Sequence, residues 1–168
     1  MHRAHYPNYL GDLMKKSEEI CKKLLESNQE SMHKYQYNKR KIENNRSFLT
    51  FLYKNYRPRI NFTFGTFFLN LTRSYLENKY LLVYIHSAQD EIDGKFQKII
   101  ELIMKQKEIA KFINENCITY GMFDNSDDYE LIQKYIPLKN LPAFALFQLN
   151  KNTKSEKFVS EYVHLFFI

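Results

Sequence analysis

Few residues in this chain could do covalent chemistry. Cys21 and Cys117 stand far apart and form neither a CxxC pair nor a metal-ligand spacing. Such sparse cysteine usage suits a reducing compartment. His2, His5, His33 and His164 are scattered, with none of the short intervals that zinc ligation uses. His86 has a carboxylate nearby in Asp90, which could orient its ring, but no nucleophile accompanies them. A base with nothing to activate is weak evidence for catalysis, so His86 reads as a packing or hydrogen-bonding residue. No catalytic residue, metal site or cofactor is therefore expected. The N-x-S/T sequons at Asn45, Asn61 and Asn70 read as chance matches in an Asn-rich chain.

Composition limits the partners. With 168 residues, 44% of them hydrophobic, the chain can bury one core. With 14 Phe and 13 Tyr, much of that core must be aromatic. Four glycines leave little for a glycine-rich phosphate loop. The net charge of +6 permits contact with anionic lipid or nucleic acid without naming a partner. Lys and Asn are abundant throughout, so single lysines carry little weight. Interleaved Phe, Tyr and Lys raise RNA binding, but the strands described below are too uniformly apolar for an open stacking face. No nucleic-acid partner is expected. Met1–Tyr9 lacks the apolar region of a signal peptide, and no stretch approaches the roughly 20 apolar residues of a membrane span. The chain reads as soluble, without a membrane span.

The elements that would position these residues follow from periodicity. Residues 8–46 form a polar arm in which Leu10, Leu13, Met14, Cys21, Leu24 and Leu25 fall at helical spacing. The mostly polar stretch Ser27–Asn45, with the basic residues Lys34, Lys39, Arg40, Lys41 and then Arg46, reads as a solvated helix or linker. Phe48–Tyr53 is a short aromatic helical turn, followed by an extended piece at Ile60–Phe64. Thr66 can cap a helix carrying Phe67, Phe68, Leu71, Tyr75 and Leu76, with Asn78 at its exit. Tyr80–His86 is an unbroken apolar run, the mark of a strand buried on both faces. Helical periods return at 95–105 and 108–116, and Cys117–Phe123 is a second central strand. A polar turn at 124–128 leads to a short helix through Ile136. Leu141–Phe147 is a strand opened by Pro142, where proline's missing donor is tolerated. A cis bond is open to Leu141–Pro142, a form that about 5–6% of X–Pro bonds take in folded proteins. A hairpin turn at 150–155 and a closing strand at 158–168 complete the order. Strands alternating with helices imply an α/β sheet, parallel at its centre and antiparallel at its edge.

This order, with proline at the head of the penultimate strand, resembles the thioredoxin fold. Several segments are similar to the UAS domain, the thioredoxin-like module of the Fas-associated-factor and UBX-domain adaptors. They are Arg57-Pro58-Arg59, Phe62-x-Phe64-Gly65-Thr66-Phe67, Tyr80–Ser87, Glu108-x-x-x-Phe112-Ile113-Asn114 and Leu141–Ala145. The resemblance spans roughly 48–168 and divides the chain into a helical, basic arm at 1–47 and a UAS-like domain at 48–168. It implies an adaptor role in ubiquitin-dependent degradation, including degradation associated with the endoplasmic reticulum. Partners in the ubiquitin and valosin-containing-protein pathway, and long-chain unsaturated fatty acids, come with it. So does a cytoplasmic location, extending to the cytosolic face of the endoplasmic reticulum. No UBX domain is expected within these residues, so they are not expected to carry docking to the ATPase. The terminal helix that covers one sheet face in thioredoxins is also expected to be missing from them. A longer parent chain, the arm at 10–25 or a partner is expected to cover that face.

A redox thioredoxin needs a low-pKa thiolate at the helix N-terminus after the first long strand. The corresponding loop here, Ser87–Asp93, holds no cysteine. The expectation is a redox-inactive protein- or lipid-binding module and not an enzyme. Its contact residues would be His86, Ser87, Gln89 and Asp90 after the strand, Pro142 in the facing groove, and basic Arg57 and Arg59. The alternative is a free-standing thioredoxin-fold scaffold of the phosducin-like kind, a protein-folding cofactor.

Overall fold

The two strands expected at the centre become the inner strands of a four-stranded sheet. In the computed structural model, which describes residues 32–88, 94–136, 138 and 140–148, the elements follow one another as expected. They are α1 (Met32–Asn55), β1 (Phe62–Thr63), α2 (Phe67–Leu76), β2 (Tyr80–His86), α3 (Gly94–Lys105), α4 (Lys107–Asn116), β3 (Cys117–Phe123), α5 (Asp127–Tyr135) and β4 (Ala143–Phe147). The sheet order is β1-β3-β2-β4. β3 runs parallel to both β1 and β2, with Tyr80 opposite Cys117 and His86 opposite Phe123. β4 is antiparallel to β2, with Ile85 opposite Ala143. The Leu141–Pro142 peptide is cis. This is a thioredoxin-like mixed sheet flanked by helices.

Local chemistry sets the helix ends. Thr66 accepts a hydrogen bond from the Leu69 amide at 3.3 Å, filling one orphan donor of the first turn of α2. Asn78 leaves the helix at φ 55°, a left-handed exit that asparagine tolerates better than most residues. Ser126 caps α5 in the same way as Thr66 caps α2, through the Tyr129 amide.

Alternating side chains of β2 feed two cores. Leu81, Val83 and Ile85 pack with Ile118, Tyr120 and Met122 beneath α2 and α5. Tyr84 points the other way, into a cluster with Phe48, Leu49, Leu52, Ile100, Met104 and Ala110 from α1, α3 and α4. Helix α1 thus packs on the Tyr84 face of the sheet. Each of Phe48, Leu49 and Leu52 is essentially fully buried, a burial that contributes roughly 1.5–3 kcal/mol per side chain.

Of the stretch expected as a solvated helix or linker, the part from Met32 is helical, but its solvation differs. From Met32 it belongs to α1, which continues unbroken through Phe48–Tyr53, so the expected boundary between 47 and 48 falls inside a helix. Lys41 and Asn45 are buried, not solvated. Lys41 Nζ lies 2.7 Å from Asp128 Oδ1. Asn45 donates to the Gly121 carbonyl at 2.9 Å and accepts from the Gly65 amide at 3.0 Å. Asn70 is buried as well, its side chain donating to the Thr66 carbonyl at 3.0 Å. The sequons at Asn45 and Asn70 are therefore interior hydrogen-bonding positions. The arm helix at 8–25, Gln89 and Asp90, the hairpin turn and the closing strand lie outside the described residues.

Candidate functional site

Parallel pairing places the ends of β2 and β3 side by side, and the antiparallel return of β4 brings Pro142 to the same corner. The register Ile85 opposite Ala143 sets cis-Pro142 beside His86 and Ser87. Three of the expected contact residues therefore lie at one corner of the sheet. Their surfaces differ, because His86 and Ser87 are each only 5% exposed. They shape the corner from beneath. Its outer surface comes from exposed Ala88 and half-buried Leu141 and Pro142.

His86 is enclosed by rings. Phe51 lies at 4.8 Å between centroids, and Tyr56 and Phe123 each at 6.0 Å. The Tyr84 hydroxyl is 2.7 Å from His86 Nδ1, within a hydrogen bond. Burial pushes the imidazole pKa down to about 4, against a weaker upward pull from Asp124. The same burial raises the Tyr84 phenol. Both groups are thus neutral at pH 7, and the pair is a packed hydrogen bond and not a poised acid and base.

Asp124, just beyond β3, fixes the loop that leaves β2. Its carboxylate accepts from Ser87 Oγ at 3.2 Å and from the Ala88 amide at 2.8 Å, while its own amide donates to the His86 carbonyl at 3.0 Å. This latch was not legible in the sequence, where Asp124 read as part of a polar turn. Arg57 is exposed at φ 46°, immediately after the Tyr56 ring that packs on His86.

Arg59 belongs elsewhere. It borders a depression of about 450 Å³ with Asn61, Lys107, Lys111 and Asn114, floored by Tyr53, Pro58 and Ala110. Sequence spacing gave no sign of this basic concavity, since its walls come from the α1–β1 connection and from α4.

Cys117 is the first residue of β3, opposite Tyr80. Six residues of strand at about 3.3 Å each put it roughly 20 Å from the corner. The thiol is half-buried, and burial pushes its pKa up, offset in part by Lys79. Among the described residues no group of His, Cys, Asp or Glu could hold a metal ion. None of the described helices is long and apolar enough to cross a membrane.

A buried polar network also went unread. Asp128 Oδ2 accepts from the Tyr120 hydroxyl and the Phe67 amide, both at 2.8 Å, while Oδ1 meets Lys41. Beside it, Arg40 makes a two-pronged contact with Asp127 at 2.8 and 2.7 Å. These contacts tie α1 to α5.

No family model matches the chain, and no curated protein matches it. Among solved structures, it is similar to a thioredoxin from Thermus thermophilus, with 10% identity and a TM-score of 0.46 over 58% of this chain and 68% of that one.

Proposed function

We propose that this chain is a redox-silent binding module, one that holds a protein segment or an acyl chain without turning over a substrate. One observation carries the reading. The strand end beside Pro142 carries buried His86 and Ser87 and exposed Ala88, with no cysteine among them, while Cys117 sits at the far end of the sheet with its pKa raised. Thiol exchange requires the reverse, an accessible thiolate of lowered pKa at a helix N-terminus. The corner of Ala88, Leu141 and Pro142 offers instead a small apolar surface on a rigid base, latched by Asp124.

The likeness of Tyr80–Ser87 and Leu141–Ala145 to the UAS domain supports a place in ubiquitin-dependent degradation, with a long-chain unsaturated fatty acid as ligand. Two measurements test the reading. In an insulin-reduction assay the chain is expected to give no turnover above background, and turnover would overturn the redox-silent assignment. Micromolar oleate is expected to raise light scattering through self-association, less so in Leu141→Asp. Unchanged scattering removes the acyl ligand and leaves a protein segment.

A further inference from the structure

We infer that the basic depression between the Pro58–Asn61 segment and α4 is a binding site for a phosphate monoester dianion carried on a small, flat organic body. Its volume of about 450 Å³ falls within the roughly 300–1,000 Å³ of small-molecule sites. Three cations border it. Lys107 and Lys111 stand four residues apart on one face of α4, and Arg59 comes from the facing segment. Among the described residues, neither Arg59 nor Lys107 has an ion-pair partner. Among the described lining residues the one carboxylate, Glu115, lies 3.9 Å from Lys111 with both side chains well exposed, a contact that neutralises little.

The walls are held before any ligand arrives. The Arg59 amide donates to the Met104 carbonyl at 2.7 Å, and the Arg59 carbonyl accepts from Asn114 Nδ2 at 3.1 Å. Asn114 Oδ1 in turn accepts from the Asn61 amide at 2.8 Å. One asparagine thus clamps both sides of the depression, so ordering its backbone costs a ligand little. A dianion matches the excess of cations, and a phosphate offers the planar Arg59 fork two oxygens at once. Tyr53, Pro58 and Ala110 give an apolar floor against which a ring can lie. A duplex nucleic acid presents a convex backbone too broad for so small a concavity, which favours a single phosphate.

The test is an amide NMR titration of the full chain with phenyl phosphate, with adenosine monophosphate and phosphotyrosine in separate arms to distinguish a nucleotide from a phosphoprotein source. Saturable shifts are expected at Asn61, Lys107, Lys111 and Asn114, with Kd of about 1 mM or tighter. Phenol, which lacks the dianion, is expected to leave them unmoved. Arg59→Gln and Lys107→Gln should each weaken binding about tenfold, or 1.4 kcal/mol. Should either variant lose its spectral dispersion, the wild-type titration repeated at about 0.5 M salt must show the same weakening. Shifts that fail to saturate, map elsewhere, appear equally with phenol or persist in the variants and at high salt would overturn the site.

Discussion

At the scale of single residues, burial decides what the titratable groups can do. His86 sits among Phe51, Tyr56 and Phe123 with a pKa near 4, against about 6.5 for an unfolded histidine. Between those values the unfolded chain binds a proton that the folded chain refuses. The stability this residue contributes is therefore complete above about pH 6.5 and is lost as the pH falls toward 4, a change on the order of 3 kcal/mol. In His86→Phe the ring packing stays but the titration goes, and the Tyr84 hydroxyl loses its partner at a pH-independent cost of about 1–3 kcal/mol. Urea unfolding between about pH 5 and 7 checks this: the wild type should weaken across the window more steeply than the variant, and equal slopes would refute it. The same logic applies to Cys117, whose raised pKa keeps it a thiol near neutral pH. Iodoacetamide should label Cys117 more slowly than an unfolded control at pH 8, as read by mass spectrometry of the Cys117 peptide.

At the scale of elements, the contacts that dock α1 are more polar than a helix cover usually requires. Lys41 and Asp128 are 6% and 2% exposed, so removing one leaves the other charged in a dry site. Lys41→Ala is expected to cost about 3–5 kcal/mol, whereas Arg40→Ala, a few atoms away but largely solvated, should cost less than about 1 kcal/mol. Comparable losses in chemical denaturation would show that the buried pair is not what fastens the helix. A steric fit complements it: a β-carbon on Gly121 would collide with the Phe48 ring, so Gly121→Ala should overpack the interface by about 1–3 kcal/mol. Phe48→Leu should recover part of that loss, with a coupling of about 0.5–3 kcal/mol in a double-mutant cycle. These contacts also explain what the sequence could tell. The strand Tyr80–His86 was legible because burial on both faces leaves an unbroken apolar run, and Cys117–Phe123 because Thr119 is the one polar side chain besides its leading thiol. The first half of α1 was not, because its buried positions include Lys41 and Asn45, whose partners lie on β3, α5 and the loop after β1. Polar residues satisfied across such distances look in sequence like a solvated linker. The corner at Pro142 was half legible: the residues that lie there were, but the carboxylate that holds Ser87 and the Ala88 amide comes from Asp124, brought in only by sheet pairing. The rings that enclose His86 come largely from α1 and from Tyr56 just past it.

At the scale of the whole molecule, α1 closes one of the two layers that a mixed sheet must bury. A sheet with helices on a single face would leave Tyr84, Phe62 and the neighbouring apolar side chains in water. Helices α3 and α4 cover part of that face through Ile100, Met104 and Ala110, and Phe48, Leu49 and Leu52 of α1 fill the rest. The tie to the opposite layer runs through Lys41 to Asp128 on α5 and through Asn45 to Gly121 on β3. A domain cut at the boundary that sequence similarity suggests, beginning at Phe48, keeps the apolar half of α1 but loses both ties. It strands Asp128 as a buried charge and leaves the Gly65 amide without its acceptor. Losses of this size rival the 5–15 kcal/mol that stabilises an ordinary domain. The expected outcome is that the 48–168 fragment shows no cooperative thermal transition by circular dichroism, while the full chain melts in one step. A fragment that melts cooperatively near the temperature of the full chain would make α1 an appended arm, and the Lys41–Asp128 pair an ornament of the fold instead of its fastening.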